Sequence, residues 1–91
     1  SAYSISKAAV DKLVRDFVPQ LAGTGVQMNL LDPGWLRTDL GGPKAPNDPS
    51  SVLPGALVPA LLDDGESGRF FCAQDYAGLT LAQAVEKALL K

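Results

Sequence analysis

The sequence predicts an α/β fold, and three observations carry that prediction. An amphipathic helical pattern opens the chain, a glycine pair stops it, and a short apolar run bounded by turn residues follows at once. A helix feeding closely into a buried strand is the second half of a βαβ unit in a parallel sheet.

The helix is expected over about residues 4–22. Val10, Leu13, Val14, Phe17, Val18 and Leu21 recur at helical spacing, with Asp11, Lys12, Arg15, Asp16 and Gln20 opposite. Pro19 lacks a backbone donor and should loosen the last turn, and Gly23 supplies the left-handed stop, with Gly25 just beyond. A strand is expected at about 26–31, closed by Asp32-Pro33-Gly34. Residues 39–51 hold Gly41, Gly42, Pro43, Pro46 and Pro49 and read as an irregular loop. Asp48 as N-cap and Pro49 as first helical residue start a second helix, about 49–62, with Leu53, Leu57, Ala60 and Leu61 on one side. Pro54, Gly55 and Pro59 within it predict a kink or interruption. A last short strand is expected at about 69–72. Thr80 and Gln83 have capping-box spacing for a final amphipathic helix at about 81–91.

Composition narrows the function. Of 91 residues, 46% are apolar and 20% charged, which suits a globular chain rather than a disordered one. A net charge of −2 without a basic cluster gives no electrostatic footprint for nucleic acid or an anionic membrane. With one cysteine, Cys72, and no histidine, the chain holds no internal disulfide and no His-based triad, and a zinc site is not expected within it. No apolar run reaches the 18 or so residues that span a bilayer, and a cytoplasmic location is the expectation. The chain begins on Ser1, already in the approach to a helix, and is read as a piece of a longer protein.

Two motifs carry chemistry. Tyr3 and Lys7, in Y-S-I-S-K, lie four residues apart and so project from one helix face. An ammonium beside a phenol favours the phenolate, which is what a tyrosine general acid with a reference pKa of about 10 requires. Alone this spacing is common. The second motif, P-G-W-L-R-T at Pro33–Thr38, stands just past the strand that follows the helix. Ligands of doubly wound sheets sit at the carboxyl ends of strands. There Gly34 allows close backbone approach to a flat ring, and Thr38 offers a hydroxyl.

Y-S-I-S-K-A-A-V-D followed by G-T-G-V-Q-M-N-L-L-D-P-G-W-L-R-T-D-L-G-G resembles the classical short-chain dehydrogenase/reductase family, and with Gly68-Arg-Phe-Phe71 its carbonyl-reductase and C-factor-like branch. The likeness covers Ser1 to about Phe71. It implies that the chain is the C-terminal fragment of a Rossmann-type doubly wound parallel sheet, an oxidoreductase moving hydride between NAD(P)H and a carbonyl or alcohol. On that resemblance Tyr3 is the general acid, and Lys7 lowers its proton affinity and holds the nicotinamide ribose. Pro33 and Gly34 line the nicotinamide, Leu36 backbone and Thr38 hold its carboxamide, and Asn29 is structural. The cofactor is NAD or NADP, the branch leaning to NADP. The Gly-rich phosphate loop, catalytic serine and supporting asparagine of the family are missing, so the isolated chain is expected to be inactive. The family commonly dimerises through this helix, which makes a homo-oligomer the expected partner, and it keeps a mobile lid where residues 39–51 lie.

Other residues keep two readings. Trp35 floors a substrate pocket or simply packs. Arg37 and Asp39 touch cofactor or a lid, or lie in a solvated loop. Asp63, Asp64 and Glu66 read as a solvated turn. The whole chain also admits a non-catalytic role, as an interaction or dimerisation piece that buries the wide stripe of the first helix against a partner.

Overall fold

A computed structural model describes residues 1–90. It divides into two compact units, residues 1–30 with 64–70, and residues 31–63 with 71–90. The division falls within both strands of a two-stranded parallel sheet, β1 (Leu30–Asp32) and β2 (Phe70–Cys72).

In the first unit, α1 spans Ala2–Phe17 and is capped by Ser1, whose hydroxyl accepts from the Ser4 N–H at 3.2 Å. The exposed i,i+4 pairs Lys12–Asp16 and Arg15–Asp11, at 2.8 and 3.1 Å, add little to stability. The helix ends earlier than residue 22 because Pro19 cannot donate to Arg15 and its ring crowds that carbonyl. The chain tightens instead into a 3-10 turn, Val18–Leu21. Of the expected stripe only Val14 is buried within α1, while Val10, Leu13 and Phe17 remain 48%, 64% and 41% exposed.

The expected strand over 26–31 shortens to β1 and shifts by one residue at its end. Residues 28 and 29 are engaged by a loop instead of a ladder. Met28 N–H donates to Ser67 Oγ at 2.9 Å, Met28 carbonyl accepts from Gly68 at 2.8 Å, and Asn29 Oδ1 accepts from Arg69 N–H at 3.0 Å. The structural reading of Asn29 thus has a named partner. Leu30 N–H then donates to Arg69 carbonyl at 2.9 Å, which sets the register.

Asp63, Asp64 and Glu66 are exposed, as expected of a solvated turn, and Asp64 also takes an ion-pair partner. Its two carboxylate oxygens each accept from the Arg69 guanidinium at 2.9 Å, a bidentate fork. The Glu66 N–H, donating to the same carboxylate at 3.1 Å, and then Arg69, hold its pKa below the ordinary value. A carboxyl with a folded-state pKa below its unfolded value stabilises the fold above the unfolded pKa, and that contribution fades as pH falls through the folded one. Asp64→Asn is therefore expected to flatten the acid limb of a stability-against-pH curve, measured by denaturant melts below pH 5 or so.

The second unit holds the apolar core of Val58, Leu62, Phe71, Tyr76, Ala84 and Ala88, with Leu79 and Val85 packed against it. The helix expected over 49–62 is broken into pieces. Asp48 caps a 3-10 turn, Pro49–Val52, by accepting from Ser50 N–H at 2.9 Å. Pro54 then denies that turn a continuing donor and drives Leu53 extended, at φ −96° and ψ 142°. A second 3-10 turn, Gly55–Leu57, runs into the single-turn helix α2, Val58–Leu61. The break re-aims the side chains. Leu53, Leu57 and Leu61, expected on the apolar side, are about half exposed, while Val58 and Leu62 are buried.

A 3-10 turn, Ala73–Tyr76, follows β2, and α3 spans Leu81–Leu89. Its capping box is complete, with Gln83 N–H donating to Thr80 Oγ1 at 3.1 Å and Thr80 N–H to Gln83 Oε1 at 2.9 Å. Ala84 and Ala88 supply its buried edge. The last residue of the expected helix, Lys91, lies outside the described residues. Among the described residues no helix is long and apolar enough to cross a membrane.

Candidate active site

Tyr3 and Lys7 stand on the first two turns of α1. The helix places them one turn apart, and Lys7 Nζ lies over the Tyr3 ring, 5.6 Å from its centroid. Tyr3 is 66% exposed, so its phenol and the ammonium are both presented at the surface of their unit. The backbone beneath is fixed, with Ser6 Oγ donating to the Tyr3 carbonyl at 2.8 Å. The four-residue spacing thus brings the two side chains together on one face of a capped helix.

The Pro-Gly segment belongs to the second unit and is built as a tied turn. Asp32 Oδ1 accepts from Gly34 N–H at 2.9 Å, an Asx turn that ends β1. Gly34 has φ +89°, a left-handed conformation that glycine adopts without Cβ strain. The space its Cβ would fill is taken by Gln74, whose Cγ would lie 2.8 Å away. Glycine is therefore required here by a neighbouring side chain as well as by the turn.

Beyond it, Trp35 carbonyl accepts from both Asn47 N–H and Asn47 Nδ2, at 3.2 and 3.0 Å, and Arg37 N–H donates to Asn47 carbonyl at 2.8 Å. Leu36 thereby forms a parallel bridge with Asn47, and its own N–H lies on the side away from that residue. Thr38 Oγ1 accepts from Gly41 N–H at 3.1 Å, which leaves its hydroxyl proton to donate elsewhere.

The loop over 39–51 is more ordered internally than its composition suggests. Trp35 Nε1 donates to Gly41 carbonyl at 2.7 Å, so Trp35 closes the loop rather than merely packing. Arg37 donates to the carbonyls of Ala45 and Pro46 at 3.3 and 3.1 Å and pairs with Asp48 at 3.5 Å. The Ser50 hydroxyl and N–H, and then Arg37, lower the Asp48 pKa. Gly41 is needed because a Cβ there would overlap the Leu36 carbonyl.

Sequence reasoning missed Asn47 and Gln74. Both act through partners a dozen or more residues away, Gln74 donating to Pro33 carbonyl at 2.9 Å and Ser51 Oγ at 2.8 Å. No local pattern announces such bonds. Among the described residues no group of three His, Cys, Asp or Glu could hold a metal.

Comparison with known proteins bears on the family. The chain is 44% identical over 78 residues to C-signal of Myxococcus xanthus, covering 85% of this chain and 45% of that protein. It is 38% identical over 77 residues to carbonyl reductase [NADPH] 1 of Sus scrofa, covering 77% and 27%. All are members of the short-chain dehydrogenase/reductase family, as is oxidoreductase UcpA of Salmonella typhimurium, 31% identical over 96 aligned positions that cover 93% and 36%. The chain is a homologue of the short-chain dehydrogenases/reductases. It spans less than half the length of these curated relatives. No family model and no solved structure matches it.

Proposed function

We propose that this short-chain dehydrogenase/reductase homologue is the C-terminal part of a single Rossmann-type domain whose parent protein is an NAD(P)-dependent reductase of carbonyl compounds. The pairing of Tyr3 with Lys7 on one helix face carries the reading. The relatives support it, since one is named an oxidoreductase and another a carbonyl reductase with NADPH in its name.

The second unit's residues suit one end of a nicotinamide cofactor. Pro33 and Gly34 are half-buried in a fixed turn, and the Leu36 N–H and Thr38 hydroxyl proton fit a carboxamide acceptor. When bound, the cofactor supplies or accepts the hydride. Tyr3 donates its phenol proton to the carbonyl oxygen in reduction and takes it back in the reverse direction. Lys7 stabilises the phenolate left behind and donates to the ribose hydroxyls. NADP is favoured over NAD. The isolated 91 residues are inactive, because they lack the phosphate-binding half of such a site. The parent is cytoplasmic and assembles as a homo-oligomer through α1.

One observation favours a second reading, that of a non-catalytic interaction piece. Val10, Leu13 and Phe17 leave an exposed apolar stripe on α1. The two readings part on whether the reading frame continues upstream into a G-x-x-x-G-x-G segment. The direct test is an NADPH- and NADH-oxidation assay of the full-length protein against a panel of aldehydes, ketones and quinones. Turnover of any of them with NADPH or NADH supports the reductase; no binding of either cofactor and no turnover overturns it.

A further inference from the structure

Gln74 lies on the 3-10 turn after β2, 41 positions from Pro33, and has no place in the chemistry above. Its surroundings give it one. The side-chain amide has two N–H donors, and both are used, one on the Pro33 carbonyl at 2.9 Å and one on Ser51 Oγ at 2.8 Å. Its Cγ occupies the space beside Gly34 that a Cβ would need. Gln74 is thus a cross-brace between the carbonyl of the Pro-Gly turn and the 3-10 turn that ends the 39–51 loop.

We propose that Gln74 is a positioning residue for nicotinamide binding, setting the height of the Pro33-Gly34 turn through these two bonds. The proposal rests on the reductase reading. The peptide that would face the cofactor is the one whose carbonyl Gln74 holds. Rotation of that peptide is opposed on one side by the Asp32 Asx turn and on the other by Gln74. Loss of the brace frees the turn to rotate and leaves the half-buried Pro33 carbonyl without this donor. Ser51 is the far anchor, not the contact to the turn, so its hydroxyl matters less.

The test uses full-length protein and two ligands, NADPH and the adenosine bisphosphate half of NADPH, which has no nicotinamide. Gln74→Met keeps the reach and removes both donors. Gln74→Glu keeps the shape and replaces donors by acceptors, and serves if the methionine variant fails to fold. The expected result is an NADPH Kd raised about 5- to 30-fold, the equivalent of one or two lost hydrogen bonds. The Kd for the adenosine bisphosphate stays at the wild-type value, and Ser51→Ala shows a smaller rise than either Gln74 variant. A merely structural role would weaken both ligands together or neither, and either outcome overturns the assignment. Wild-type protein that binds neither NADPH nor NADH overturns the reductase reading and this assignment with it; if it binds NADH alone, NADH and its adenosine half are the ligand pair. A binding wild type with unmoved Gln74 variants overturns this assignment alone.

Discussion

Tyr3→Phe in the full-length protein is expected to lower kcat for carbonyl reduction by about 10²- to 10⁴-fold, the usual worth of a positioned general acid. The substitution removes one oxygen from a side chain that is 66% exposed. No core packing is lost, and exposed changes of this kind shift stability by about 0.5 kcal/mol or less. The ring that Lys7 overlies is retained, so the ammonium keeps its place 5.6 Å from the centroid. NADPH binding and the melting temperature should therefore match wild type while turnover collapses. Steady-state kinetics with a cofactor titration reads all three. A variant within about threefold of wild-type kcat, well short of a general acid's contribution, would remove Tyr3 from the chemistry.

Much of this was legible in the sequence because it is local. A capped helix with a four-residue Tyr–Lys spacing puts the pair on one face whatever surrounds it. The capping box of α3 and the Asp48 cap are also set within three residues. The helix over 49–62 was legible only in part. Its prolines announced an interruption, but the extended Leu53 re-phases everything after it, so Val58 and Leu62 replace Leu57 and Leu61 in the core. Periodicity counts positions along an unbroken helix and has no means of seeing such a shift. The ties of the 39–51 loop were not legible. Arg37, Trp35 and Asn47 bond to backbone carbonyls, and any residue supplies a carbonyl, so no partner residue type betrays them. The same holds for Gln74 and the Pro33 carbonyl.

Gly55 separates local from tertiary reasoning by the sign of an effect. By its sequence setting it is a glycine inside a helical segment, where replacement by alanine stabilises by up to about 1 kcal/mol. In the fold it is buried, and the backbone of Ala73 presses against its Cα face. A Cβ would overlap the Ala73 carbonyl oxygen and lie 2.7 Å from its Cα. Neither atom is the end of a flexible side chain, so relief requires the 3-10 turn at Gly55–Leu57 to separate from the turn at Ala73–Tyr76. Both turns deliver core residues, since Val58 follows the first directly and Tyr76 ends the second. Movement of either therefore loosens the packing of Phe71 and Leu62 as well. Overpacking of this kind costs about 1–3 kcal/mol or more. Gly55→Ala is expected to destabilise the full-length protein by that amount, read as a lower denaturation midpoint at unchanged m-value. A neutral or stabilised variant would mean that the two turns are not in contact, and the close approach of Gly55 to Ala73 would have to be abandoned.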